Sequence, residues 1–129
     1  MSDFSKTTKK DFELFKSECK RWIDAFNLRS WRNEIGIAKL EGRHGQCEIH
    51  YEGRLIQVVI SDTLPIENRE RFIKETAFHE VFEGGVLGRI RFMAEDREFS
   101  QIEFDSEIHA IVNRCQHIML PLRIRGKGK

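Results

Sequence analysis

Long apolar runs are missing from this chain of 129 residues. None reaches the roughly 18 residues that a membrane span needs. The opening M-S-D-F-S-K-T-T-K-K also lacks the apolar stretch of a secretion signal. A cytoplasmic address with no membrane partner is therefore expected. Cysteine is scarce. Cys19, Cys47 and Cys115 are odd in number, far apart and without a C-x-x-C pair, which excludes a disulfide frame or a zinc ribbon and points to reduced thiols. Net charge is nearly absent, at +1, so no global field draws the protein to nucleic acid. The one basic stretch, R-I-R-G-K-G-K from Arg123, reads as a solubilising end rather than a binding arm. There is no phosphate loop, no cofactor fingerprint, no recognisable Cys–His dyad and no internal repeat. What is present is 40% hydrophobic and 33% charged residues, the composition of a soluble domain with one modest core. That domain is expected to fill residues 1–129, with 1–7 and 122–129 as flexible ends.

Hydrophobic periodicity supplies the elements. Phe12, Phe15, Cys19, Trp22, Ile23 and Phe26 recur at spacings of three and four, predicting a helix from Thr8 to Phe26 with Asn27 as its stop. From Ser30 the period becomes two. It predicts strands over 31–40, 46–51 and 54–61, the last rich in β-branched residues, in an arrangement that permits an antiparallel meander. His44 and His50 fall here and read as loop or strand histidines, since neither has a ligand partner at i+2 or i+4. Asp62 to Pro65 breaks the third strand, and Asn68 is placed to cap a central helix opened by Arg69. Beyond Gly88, R-I-R-F-M-A fits a helix resumed after a kink. A last helix is expected from Phe104 or Asp105 to Leu120, stopped by Pro121. Ile108, Ile111, Val112, Cys115 and Met119 would form its buried face, with Ala110 and Ile118 on a flank. Periodicity leaves Glu107 either as the carboxylate this helix presents inward or as an edge residue paired with Arg114. The fold class is α+β: an N-terminal helix, a small three-stranded, mainly antiparallel sheet, a central helix and a C-terminal helix.

The chemistry concentrates in Lys74 to Gly85, K-E-T-A-F-H-E-V-F-E-G-G. On a helix, His79 and Glu83 at i and i+4 share one face, with Glu80 one step round. This is the H-E-x-x-H metalloprotease layout with glutamate in place of the second histidine. Two ligands a turn apart can chelate one metal, and the intervening glutamate can handle a water proton. A solvated helix face is the competing account. Against it, Phe72, Ile73, Ala77, Phe78, Val81, Phe82 and Val86 spread nearly all round the helix, and such a helix is buried. Thr76, His79, Glu80 and Glu83 then form a polar cluster inside the protein or along a cleft, where charges need partners or a metal. The glycines at 84, 85 and 88 either end the helix or let another backbone come close.

With T-A-F-H-E-V-F-E on one helix and E-I-H-A-I-V-N-R on a later one, the chain resembles the minimal zincin metallopeptidases. It is most similar to small zincin-like proteins of bacteriophages and prophages. The resemblance covers about Phe12 to Leu120. It implies that His79 is a zinc ligand, Glu80 the general base, Glu83 the second ligand and Glu107 the third. It further implies that the strand 54–61 holds an extended polypeptide substrate by β-pairing. Two carboxylate ligands on a dication would give a nearly neutral site, which polarises water less and makes manganese or another divalent ion competitive with zinc. The functional expectation is a metal-dependent hydrolase, a zincin-type peptidase of phage or prophage origin. The alternative is a non-catalytic zincin-fold module that binds a protein partner around a structural or empty site.

Overall fold

Thr8 starts the first helix. In the computed structural model, which describes residues 3–50, 52–88, 90 and 101–127, helix α1 spans Lys9–Ala25. The Thr8 hydroxyl accepts from the Asp11 amide at 3.1 Å and the Asp11 carboxylate accepts from the Thr8 amide at 2.9 Å. This reciprocal box satisfies two N–H groups that the helix start leaves orphaned. At the other end Asn27 is left-handed, with φ 60°. There the Leu28 amide reaches the Ile23 carbonyl at 2.8 Å and the Asn27 amide reaches that of Asp24 at 3.0 Å, a Schellman stop. The predicted boundaries and stripe hold: Phe15, Cys19, Trp22 and Ile23 are buried.

Three strands form the main sheet: β2 (Arg32–Ala38), β3 (Gly45–His50) and β4 (Leu55–Ser61), in the order β2-β4-β3. β3 runs antiparallel to β4, but β2 runs parallel to it, Arg32 opposite Leu55 through Ala38 opposite Ser61. The sheet is therefore mixed and is not a meander. β4 carries Ile56, Val58 and Ile60, all buried, and takes the centre, where both of its edges are paired. Tyr51, the predicted end of the second strand, lies outside the described residues.

A second, two-stranded sheet escaped the periodicity. Phe4–Lys6 (β1) pairs antiparallel with Thr63–Pro65 (β5), so the start of the chain, expected as a flexible end, is paired from Phe4. Arg69 secures it. Its guanidinium meets the Asp11 carboxylate at 2.8 Å, the Lys6 carbonyl at 2.8 Å and the Ser5 hydroxyl at 2.7 Å. The Thr7 hydroxyl donates to the Ser61 carbonyl at 2.7 Å in the interior.

Helix α2 (Arg69–Glu80) follows, with Asn68 in the N-cap position. Asn68 is left-handed (φ 53°) and its side chain makes no capping bond, so the cap expected there is not made. α2 is as buried as its apolar circumference predicts: Ile73, Ala77 and Phe78 have no exposure, nor has Val81 just beyond its end. Phe78 meets Trp22 edge-on at 4.9 Å and stacks on Phe82 at 5.4 Å, joining α1 to α2. The last helix, α3, spans Gln101–Lys127 and runs past Pro121. Proline removes one N–H and crowds one carbonyl, and in a helix this long the turns on both sides carry the backbone across. Except for Gly88 and Ile90, the stretch expected to resume helix after a kink lies outside the described residues. No helix among the described residues is long and apolar enough to cross a membrane.

Candidate metal centre

The backbone does not stop at the glycines after Glu83. It widens into a π-helical segment, Val81–Val86, closed by a bond from the Leu87 amide to the Phe82 carbonyl five residues back, at 3.0 Å. His79 on α2 and Glu83 on this segment keep their side chains together, His79 Nε2 lying 2.7 Å from Glu83 Oε1. The i, i+4 pairing read from the sequence is thus present, carried across the junction of two helix types.

The third donor comes from α3, and it is His109. Its Nε2 lies 3.5 Å from Glu83 Oε2. The ligand atoms of His79, Glu83 and His109 all fall within 4.8 Å of one another, so the three could hold a metal ion. On the far side of the ring, His109 Nδ1 is 2.9 Å from the Asp105 carbonyl. A carbonyl only accepts, so Nδ1 carries a proton, and Nε2 is the ring nitrogen turned to Glu83. A backbone oxygen orienting an imidazole in this way is the usual support of a metal-binding histidine.

Glu107, expected as the third ligand, is exposed and stands apart from this cluster. The cause is the rotation of α3. At about 100° per residue, Glu107 lies roughly 20° from Ile118, and His109 roughly 20° from Leu120. Ile118 is 65% exposed while Leu120 is 2% exposed. The buried arc therefore runs from Ile108 and Val112 to Leu120, on the side of His109, whose own ring is half-exposed, and away from Glu107. The sequence offers both isoleucine and leucine as core candidates and does not rank them.

Glu80 sits beside the cluster and is mostly buried. Burial, reinforced by the charge of Glu83 and opposed by His79, Arg43 and His109, pushes its carboxyl up to about 7. His79 is also raised above the ordinary imidazole range: its hydrogen bond to Glu83 outweighs burial, and the charges of Glu80 and Glu83 add to it. A cleft of about 320 Å³ opens over the site, with Arg43, Gly45, Gln46 and Cys47 on one wall and His109 opposite. It adjoins a second cleft of about 260 Å³ walled by His44, Phe72, Glu75 and Gln116. His44 packs between Phe4 and Phe72 at ring distances of 5.6 and 4.9 Å. His50 is exposed on its strand and bonded to Gln57 at 2.7 Å.

The strand expected to bind substrate, 54–61, cannot do so by β-pairing, because β4 is hydrogen-bonded on both sides. The strand at the cleft is β3. It is an edge strand, and its first three residues, Gly45, Gln46 and Cys47, line the wall. Cys47 is largely buried there, and burial together with the charges of Glu80, Glu83 and Glu48 pushes its thiol up to about 12, which keeps it protonated and inert at neutral pH.

No protein-family profile matches the chain, and no curated protein or solved structure is significantly similar to it.

Proposed function

We propose that the protein is a metal-dependent hydrolase of zincin type that acts on extended polypeptide, with His79, Glu83 and His109 as the metal ligands and Glu80 as the general base. One observation carries this reading. Three donors, two a turn apart on the site helix and one from α3, converge within 4.8 Å at the foot of an open cleft, with a partly buried carboxylate beside them that is not one of the three. Three protein ligands with one side open is the arrangement of catalytic rather than structural zinc.

The donor set fits zinc. Two imidazoles and one carboxylate leave a dication with a net positive charge, whereas the His–Glu–Glu set implied by the resemblance would have left it nearly neutral. A bound ion would supply Lewis acidity to a water and to a substrate carbonyl. The chain's own residues do the rest. Glu80, partly buried beside the ligands, accepts a proton from water and returns it to the leaving amine. The His109 ring is held in one tautomer by the Asp105 carbonyl. The edge of β3, unpaired among the described residues, offers backbone donors and acceptors to an extended chain lying along the cleft. The family-level part of the reading, zincin-like and of phage or prophage type, rests on the resemblance of residues 74–85 and 107–114.

The test is elemental analysis of protein purified without added metal, followed by a casein and peptide-library digest. Stoichiometric zinc and chelator-sensitive cleavage are expected. Glu80→Gln should keep its zinc and lose about 10²–10⁴-fold in rate, the usual cost of a general base. Bound zinc with no cleavage of any peptide would instead identify a zincin-shaped binding module and sink the hydrolase reading.

A further inference from the structure

Two glycines join the edge strand to the site helix, one from each side. A Cβ built on Gly45 of β3 would lie 2.8 Å from Thr76 Cγ2, 2.9 Å from Glu80 Cγ and 3.1 Å from Glu80 Oε2. A Cβ built on Gly84 of the π-helical segment would overlap Cys47 Sγ and lie 2.6 Å from Cys47 Cβ. Gly45 and Cys47 are two residues apart on one face of a strand, a rise of about 6.6 Å. Glu80 and Gly84 lie about one turn apart, across the junction of α2 with the π-helical segment. Strand and helix therefore run side by side and touch at two successive rungs, and both rungs depend on a missing Cβ. Glu80 lies at one rung, and Glu83 precedes the other.

We propose that Gly45 is a positioning residue for Glu80: with no side chain of its own, it lets the edge strand close against the Glu80 side chain and fixes that carboxylate at the strand that lines the cleft. Gly84 serves the same closure from the helix, by leaving room for Cys47. The function assigned to Glu80 rests on the hydrolase reading, whereas the contact itself does not. A Cβ at position 45 meets Thr76 Cγ2 and the flexible middle of the Glu80 side chain, so the groups that must give way are Thr76 and the glutamate. The three atoms nearest that Cβ belong to Thr76 and Glu80, none of them to His79, Glu83 or His109.

The experiment compares wild type, Gly45→Ala and the control Gly36→Ala, whose added Cβ would meet nothing within 4 Å. Three readouts are followed: zinc affinity by chelator competition, the ¹³C resonance of the Glu80 carboxyl at fixed pH, and peptide cleavage. Gly45→Ala should keep zinc affinity within about threefold of wild type, shift the Glu80 resonance, and lower kcat at least about tenfold with KM nearly unchanged, consistent with loss of base positioning. Gly36→Ala should change none of these. If wild type cleaves nothing, the hydrolase reading fails, and the resonance and the affinity still decide the positioning role. An unmoved Glu80 resonance, or zinc lost in step with it, overturns the proposal. Should Gly45→Ala fold poorly, Gly45→Ala/Glu80→Ala supplies the answer. Removing the Glu80 side chain should recover at least half of the lost melting temperature, and no recovery would show that the two residues are not coupled.

Discussion

Replacing His109 by alanine should nearly abolish zinc stabilisation of the fold, and replacing Glu107 by glutamine should leave it intact. The site offers three donors within 4.8 Å, so His109→Ala removes one ligand of three. Losing even an outer partner of a ligand costs about 10–100-fold in metal affinity, so losing the ligand itself should cost about 100-fold or more. At a free zinc concentration of about 100 times the wild-type Kd, binding adds about 2.7 kcal/mol to stability. For a chain of 129 residues, about 1 kcal/mol moves Tm by roughly 3–5 °C. Wild type should therefore melt about 10 °C higher with zinc than with chelator. In His109→Ala the same zinc is only about equal to Kd and contributes about 0.4 kcal/mol, a shift of roughly 1–2 °C. Differential scanning fluorimetry in zinc and in chelator reads this directly. Glu107 is exposed and outside the cluster, so Glu107→Gln should show the full wild-type shift. A Glu107→Gln variant that loses the shift while His109→Ala retains it would refute the rotation of α3 on which the metal centre depends.

Other perturbations test the frame around the site. Phe78 is fully buried and touches Trp22, Phe26 and Phe82, so Phe78→Ala should cost about 3–5 kcal/mol, measured by urea denaturation; a loss under about 1 kcal/mol would place Phe78 outside the core. Asp11 should make stability depend on acid. Burial alone would raise its carboxyl, but the Thr8 amide and hydroxyl and the Arg69 guanidinium together hold it below the usual range. A depressed folded-state pKa gives stability that is present above the unfolded value of about 3.9 and is lost as pH falls through the folded one. Melting scans from pH 6 to pH 2 should therefore show a loss at the acid end that is smaller in Asp11→Asn, and identical acid profiles for the two proteins would contradict this.

Local patterns were legible in the sequence and neighbour relations were not. α1 could be delimited because its stripe, its Thr8 start and its Asn27 stop all act within a few residues of one another. The strands could be found because alternation reports which face is buried. Alternation does not report which strand lies beside which, so the central place of β4 and its parallel pairing with β2 became visible only in three dimensions. β1 gave no signal, since Phe4, Ser5 and Lys6 are all exposed and the strand is held by backbone pairing and by a distant arginine. The π-helical turn left a trace in Gly84 and Gly85, but glycine there is equally a sign of a helix end.

The same distinction explains the site. His79, Glu80 and Glu83 are neighbours along one helix, and spacing alone brings them together. The third ligand depends on how α3 is rotated against α2, and that rotation is set by which apolar residues find partners. Glu107 and His109 are two residues apart in sequence and about 160° apart around the helix. A modest change in the assumed buried arc exchanges one for the other. Taking Ile118 as core favours the carboxylate, while the burial of Leu120 brings in the imidazole. The exchange alters the chemistry as well as the name of the ligand. With Glu107 the ion would face two negative donors and its water would be held less acidic. With His109 one carboxylate remains, a bound dication would keep net positive charge, and a water on it would give up its proton more easily. The burial of Leu120 thus bears on which side chain α3 turns to the cleft, although Leu120 does not line it.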